Sequence, residues 1–163
     1  MSIAIGDTVP DIPLLVTGGK TLRFSDYRGR PIVLYFYPKA STPGCTQEGK
    51  DFAAAIHKFR RQSCVILGAS RDSLKRQENF KAKYAFPFDL ISDEDEVLCK
   101  TFDVIKLKNL YGKKVLGIER STFLIDAEGV LRKEWRKVKV KGHVDAVLET
   151  VKSLNKGEVN SPS

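Results

Sequence analysis

Three cysteines in 163 residues, Cys45, Cys64 and Cys99, are too few and odd in number for a disulfide framework, so a reducing compartment, the cytoplasm, is expected. No segment approaches the ~18 apolar residues of a membrane span. The start, Met1-Ser2-Ile3-Ala4-Ile5-Gly6-Asp7, lacks a basic region followed by a long apolar run, so no export signal is expected. Internal repeats, low-complexity tracts and linkers are absent too. Histidine is scarce: His57 and His143 are too far apart to form a motif, and neither adjoins a cysteine. A helix surface suits His57 and a strand-to-helix turn suits His143. One further absence is local. Between Thr42 and Gln47 there is no acidic side chain, although Asp or Glu is what the positive start of a helix normally attracts.

The length and the 42% hydrophobic content fit one domain with a sizeable core. We expect it to span residues 1–154, with 155–163 a frayed tail. The net charge of +8, from 28 Lys and Arg against 20 Asp and Glu, brings nucleic acid into consideration. Much of the excess falls late, in Lys106, Lys108, Lys113 and Lys114 and again from Arg132 to Lys141. The second group alternates towards its end, Lys137-Val138-Lys139-Val140-Lys141, as a strand with one solvated basic face would. Weak, salt-sensitive affinity for polyanions without sequence specificity is the most this charge implies.

The order of elements reads as α/β. Residues 11–24 form two short strands around Gly18-Gly19, an N-terminal β-hairpin. Ile32 to Tyr37 is nearly continuous in apolar character, as for a strand buried on both faces. A helix from Thr42 to near Gln62, a strand over Cys64 to Ser70, and a helix capped by Ser73 follow, which predicts parallel neighbours in a central mixed sheet flanked by helices. Pro87 to Ile91 is expected to be extended and an acidic-first helix to follow from Ser92 to Phe102. Residues 103–117 read as irregular. Ile118 to Asp126 and Val130 to Trp135 form a hairpin about Ala127-Glu128-Gly129, and a last helix runs from His143 to Leu154.

The best functional candidate is Cys45, in Ser41-Thr42-Pro43-Gly44-Cys45-Thr46-Gln47-Glu48, which a buried strand delivers to the first turn of a helix. Thr42 is placed to be the N-cap and Pro43 suits the first helical position, where its missing N–H costs nothing. A free thiol ionises near pH 8.5, so roughly 3% is thiolate at pH 7. Moving that to about 6 takes ~3.4 kcal/mol. A helix terminus gives only ~0.3–2 kcal/mol, so a cation or several hydrogen bonds must supply the rest. The alternative is an inert core thiol.

The chain resembles the peroxiredoxins, and among them the PrxQ or bacterioferritin comigratory protein subfamily. The likeness runs through Gly6-Asp7-Thr8-Val9-Pro10-Asp11, Tyr35-Phe36-Tyr37-Pro38-Lys39 with Thr42-Pro43-Gly44-Cys45-Thr46-Gln47-Glu48, Gly117 to Asp126, and Val138-Lys139-Val140-Lys141-Gly142-His143. It implies a thioredoxin-like fold and a thiol peroxidase reducing hydrogen peroxide and organic hydroperoxides without metal, flavin or haem. It also supplies the missing cation, Arg120, on a later strand. Thr42 is implied as a hydroxyl touching both sulfur and peroxide, Pro43 as a shield from solvent, and Gly44 as the residue that lets backbone N–H groups come close. Cys45 would pass through a sulfenic acid that another thiol must reduce.

Where many PrxQ members carry a resolving cysteine five residues on, this chain has Lys50, and the helix over 73–84 has none. Ala40 and Gly49 also depart from the commoner Asp and Ala. Cys64 and Cys99 read as buried structural thiols. The expectation is therefore a one-cysteine cycle in a monomer, completed by a thioredoxin, a glutaredoxin or a low-molecular-weight thiol. An atypical two-cysteine cycle through Cys64 or Cys99 is the alternative. A dithiol oxidoreductase lacks its second cysteine in Cys45-Thr46-Gln47-Glu48, and a polyanion-binding protein leaves the turn at Thr42 to Cys45 without a purpose.

Overall fold

The computed structural model describes residues 2–157. The N-terminal hairpin, β1 (Pro13–Val16) and β2 (Lys20–Arg23), turns at Gly18 and Gly19, both at positive φ. Next come β3 (Ile32–Phe36), α1 (Pro43–Ala54), α2 (Ile56–Arg61), β4 (Val65–Ser70), α3 (Leu74–Tyr84) and β5 (Asp89–Ser92). The second half holds α4 (Val97–Thr101), β6 (Ile105–Leu110), β7 (Lys113–Ile118), β8 (Ser121–Ile125), β9 (Leu131–Trp135) and α5 (His143–Asn155). Seven strands form one mixed sheet in the order β2-β1-β5-β4-β3-β8-β9, parallel for β5, β4 and β3 and antiparallel elsewhere.

The pleat of β3 divides the core. Successive side chains of a strand point to opposite faces. Val33, Tyr35 and Tyr37 accordingly enter an apolar layer with Phe52, Phe59, Phe80, Val147 and Val151, beneath α1, α2, α3 and α5. Ile32, Leu34 and Phe36 enter the other layer, with Leu14, Phe24, Leu98, Phe102 and Ile118. Burial on both faces explains why β3 reads as an unbroken apolar run. Cys45 and Cys64 lie in the first layer and Cys99 in the second, so the sheet stands between Cys45 and Cys99.

Several expectations are corrected by the backbone. The helix expected to reach Gln62 is two helices that meet at Ala55, whose ψ of 4° ends α1. Ser92 closes β5 rather than opening a helix. Asp93 accepts from the N–H groups of Leu98 and Cys99 at 3.0 and 2.8 Å, so the acid caps a five-residue α4. Residues 103–117, read as irregular, contain most of the β6–β7 hairpin, paired from Ile105 opposite Ile118 to Leu110 opposite Lys113. It leaves Leu107, Leu110, Tyr111 and Leu116 exposed, and that lack of a buried face hid it from a search for apolar alternation. The basic strand expected from Arg132 on to Lys141 stops at Trp135, where β9 ends. Arg136 turns its guanidinium onto the carbonyls of Phe102 and Asp103, and Lys137 takes a φ of 50°. At the far end, Asn155 belongs to α5 and its amide donates to the Gln62 carbonyl at 2.8 Å. Of the expected tail, 158–163 lies outside the described residues.

Candidate active site

Thr42 has the extended φ and ψ of an N-cap and Pro43 takes the first helical position, so Cys45 falls in the first turn of α1. That turn carries no acidic residue. The N–H groups of Gly44 and Cys45 have no acceptor within the helix, as for any helix start. The Thr42 hydroxyl does not bond these groups or the sulfur. It donates to the Lys39 carbonyl at 2.7 Å, which leaves its lone pairs unused. Cys45 is 1% exposed.

Arg120 reaches this turn from 75 residues away, its Nη2 donating to Cys45 Sγ at 3.4 Å. The expected continuous strand over 118–126 breaks here. β7 ends at Ile118 and β8 begins at Ser121, opposite Phe36 at the end of β3. The intervening residues are held by hydrogen bonds from Glu119 N–H to Val104 and from Val138 N–H to the Arg120 carbonyl, at 2.7 and 3.0 Å. Gly44 is a packing requirement as much as a helix-start residue: a Cβ there would sit 3.1 Å from Arg120 Nη2. The sequence pattern suggested only that it lets backbone N–H groups approach.

Glu48 was part of the motif without a role, and the structure gives it one. It lies one turn beyond Cys45 on the same buried face, fully buried, with Oε1 accepting from Arg120 Nη1 at 2.7 Å. An acid at the spacing of Cys45, Phe52 and Ile56 was the signal available in the sequence. Burial pushes its carboxyl up to about 7, the guanidinium pulling the other way, and its second oxygen has no partner among the described residues. The Tyr35 and Thr46 hydroxyls are likewise buried without partners among the described residues. Unsatisfied buried polar atoms cost ~1–3 kcal/mol each, and they gather here at the chemistry. Burial and Glu48 act in opposite directions on Arg120, and the net effect raises its affinity for the proton.

His143 occupies the expected turn before α5, but it is buried, its Nε2 2.7 Å from the Thr122 hydroxyl. Burial, helped by the Arg120 charge, pushes it down to about 4, so it is neutral at pH 7. His57 is exposed on α2, as expected. Cys64 precedes Val65, which pairs with Ile32 at the opposite end of β3 from the α1 turn. At ~3.3 Å per residue that strand separates the two thiols by about 15 Å. Burial drives Cys64 up to about 12 and, with the carboxylate of Asp93 beside it, raises Cys99 well above the thiol range.

A buried thiol at a helix start, joined to an arginine, on a thioredoxin-like sheet is the arrangement of a thiol peroxidase. The model of the AhpC/TSA family matches residues 5–134. Peroxiredoxin Bcp of Xanthomonas campestris pv. campestris is 56% identical over 143 residues, 88% of this chain and 89% of that protein. Peroxiredoxin Bcp of Bacillus subtilis is 51% identical, covering 95% of this chain and 99% of that one. Among solved structures, a bacterioferritin comigratory protein of Xanthomonas campestris, described for its alkyl peroxide reduction, superposes with a TM-score of 0.85 at 51% identity over 91% of this chain and 99% of its own. A Cys-to-Ser mutant of Xylella fastidiosa PrxQ reaches 0.89 at 44% identity over 94% and 98%. The chain belongs to the AhpC/TSA family and, within it, to the PrxQ or bacterioferritin comigratory peroxiredoxins. It is a thiol-dependent peroxidase.

Proposed function

We propose that Cys45 is the peroxidatic residue, acting on hydrogen peroxide and organic hydroperoxides with Arg120, Thr42 and the first turn of α1 as its machinery. The observation that carries this is the 3.4 Å contact from Arg120 Nη2 to the sulfur. The sulfur anion attacks the terminal peroxide oxygen and the O–O bond breaks, so negative charge grows on the leaving oxygen. Donors already fixed at that oxygen stabilise the transition state more than the ground state. Arg120 and the free N–H groups of Gly44 and Cys45 are such donors. The Thr42 hydroxyl, its proton committed to Lys39, accepts from the peroxide O–H. Pro43 covers the turn from outside.

The cycle we infer uses one cysteine. Cys99 lies across the sheet and Cys64 at the far end of β3, so an internal disulfide requires the core to open. The thiol of a thioredoxin, glutaredoxin or small molecule then reduces the sulfenic acid. In this reading residues 1–154 work as one monomeric thioredoxin-like domain in the cytoplasm, where three unpaired cysteines remain reduced. No helix among the described residues is long and apolar enough to cross a membrane. The basic residues serve solvation and small anions rather than a specific nucleic acid.

Treatment with one equivalent of peroxide, then intact-mass and peptide analysis, tests the scheme. The expected product is a Cys45 sulfenic acid, absent from Cys45→Ser. A Cys45–Cys64 or Cys45–Cys99 crosslink would replace the one-cysteine cycle with an internal one. Peroxidase activity retained by Cys45→Ser would remove Cys45 from the mechanism.

A further inference from the structure

Beside Arg120 lies a recess of about 710 Å³, lined by Lys106, Leu107, Lys108, Glu119, Arg136 and Lys137. That volume is in the ~300–1,000 Å³ range of small-molecule sites. Four cations there face one carboxylate. Lys106 pairs with Asp103 at 2.9 Å and Arg136 with Glu134 at 3.4 Å, while Lys137 makes no ion pair among the described residues. The stem of Lys108 lies along Gly117 and its ammonium donates to the Ile118 carbonyl. Leu107, 60% exposed, supplies an apolar flank.

The recess is tied through its backbone to the segment that carries Arg120. Glu119 is the chain neighbour of Arg120, and the segment after Arg136 bonds the Arg120 carbonyl through Val138 N–H. Burial and the Arg120 guanidinium push the Lys108 ammonium down while the Cys45 sulfur and Glu119 push it up, so this lysine stands within electrostatic reach of the thiol.

We propose that this basic recess binds the carboxylates of a low-molecular-weight thiol and that such a thiol is the reductant of Cys45. The proposal rests on the one-cysteine reading above. Two observations select a small thiol over a protein one. The sulfur is 1% exposed behind the Arg120 contact, and the adjoining cavity matches a peptide-sized anion in volume and charge. In the first step the thiol's sulfur attacks the sulfenic sulfur, an S–S bond forms, the S–O bond breaks, and hydroxide leaves as water with the thiol's proton. In the second, another molecule of the thiol attacks the mixed disulfide. Cys45 returns to the thiolate and the two reductant molecules leave as their disulfide, so two electrons have passed to the sulfenic sulfur. Carboxylates on Lys106 and Lys137 would hold the incoming thiol near Cys45 during the first step.

The test compares glutathione with glutathione diethyl ester, the same thiol with its carboxylates masked. The protein is oxidised with one equivalent of peroxide, mixed with either thiol in a quenched-flow instrument, and the mixed disulfide is followed by intact mass. Glutathione should react about tenfold faster than the ester at low salt, as expected for electrostatic guidance into a charged cleft, with the advantage shrinking as salt rises. In Lys106→Ala/Lys137→Ala the ratio of the two rates should fall to about one. Equal rates for acid and ester in the unaltered protein would overturn the proposal, and so would a tenfold ratio that survives in the double variant. A Cys45–Cys64 or Cys45–Cys99 disulfide formed before either thiol reacts would instead overturn the one-cysteine reading beneath it.

Discussion

Deleting the Arg120 charge together with that of Glu48 separates what the guanidinium does for the fold from what it does for the sulfur. In Arg120→Met the alkyl stem remains, but Glu48, fully buried, loses the only partner Oε1 has among the described residues. Stranding one member of a buried ion pair costs ~3–5 kcal/mol, and the carboxyl can limit the loss by keeping its proton. The catalytic loss is separate. At an effective dielectric of ~20, unit charges at the 3.4 Å separation of Nη2 and Sγ attract by about 5 kcal/mol. The guanidinium spreads its charge over three nitrogens and turns only one of its two Nη groups to the sulfur, the other facing Glu48, so about half of that acts on the sulfur. Roughly 2–3 kcal/mol corresponds to about 10²-fold in rate.

In Arg120→Met/Glu48→Gln neither buried charge remains, so most of the lost stability should return while the rate should not. Urea midpoints and stopped-flow peroxide consumption, measured for both single variants, the double and the unaltered protein, read the two quantities side by side. Glu48→Gln alone keeps an acceptor for Nη1 and should stay within a few-fold in rate. A double variant that reduces peroxide at the unaltered rate would refute the argument, for it would show that the guanidinium serves the fold alone.

Opposing pH slopes are expected from two buried groups. Glu48, pushed from 4.5 up to about 7, binds its proton more tightly folded than unfolded, so its contribution is full below pH 4.5 and is lost as pH rises to 7. His143, pushed from 6.5 down to about 4, does the reverse, full above pH 6.5 and lost as pH falls to 4. Each window amounts to about 3 kcal/mol at ~1.4 per pH unit; Glu48→Gln should make the urea midpoint fall more steeply towards acid, His143→Gln should make it rise, and unaltered slopes in both would contradict the assignment. Gly49→Ala places a methyl 2.5 Å from the Phe86 ring, so its overpacking cost of ~1–3 kcal/mol should outweigh the ~1 kcal/mol gain in helix propensity, with Phe86→Leu restoring the thermal midpoint. Gly44→Ala displaces Nη2 by a few tenths of an ångström and should slow peroxide reduction by about tenfold at an unchanged urea midpoint; an unchanged rate would show that the guanidinium position is not critical.

What the sequence disclosed follows from which forces act locally. The apolar run of β3 and the turn chemistry of Thr42, Pro43 and Gly44 are local, and they located the sheet's central strand and the thiol's helix start. The β6–β7 hairpin escaped because only its Ile105–Ile118 end reaches the main core and the rest is largely exposed, so apolar alternation carried no signal. Lys137 to Lys141 alternates as a strand should, yet Arg136 and the positive φ of Lys137 end β9 first. Glu48 is a tertiary fact. Its charge becomes intelligible only once Arg120, 72 residues away, is folded against it. That a cation was needed followed from the energetics of the thiol alone, whereas naming Arg120 took the family resemblance.

The charges at the centre explain why that cation is an arginine. Arg120 faces two groups able to carry negative charge, Cys45 at 3.4 Å and Glu48 at 2.7 Å. One buried cation balances one buried anion, so an ionised sulfur is best accommodated when Glu48 keeps its proton, and burial pushes Glu48 in that direction. His143, held neutral at pH 7, does not compete, and burial and Arg120 itself push the Lys108 ammonium down from its ordinary value. Arginine meets both demands because its charge survives burial and its two Nη groups point at two partners in a fixed fork. A lysine at this position would offer a single point of charge to one partner at a time, and the burial that already weakens Lys108 would act on it more strongly.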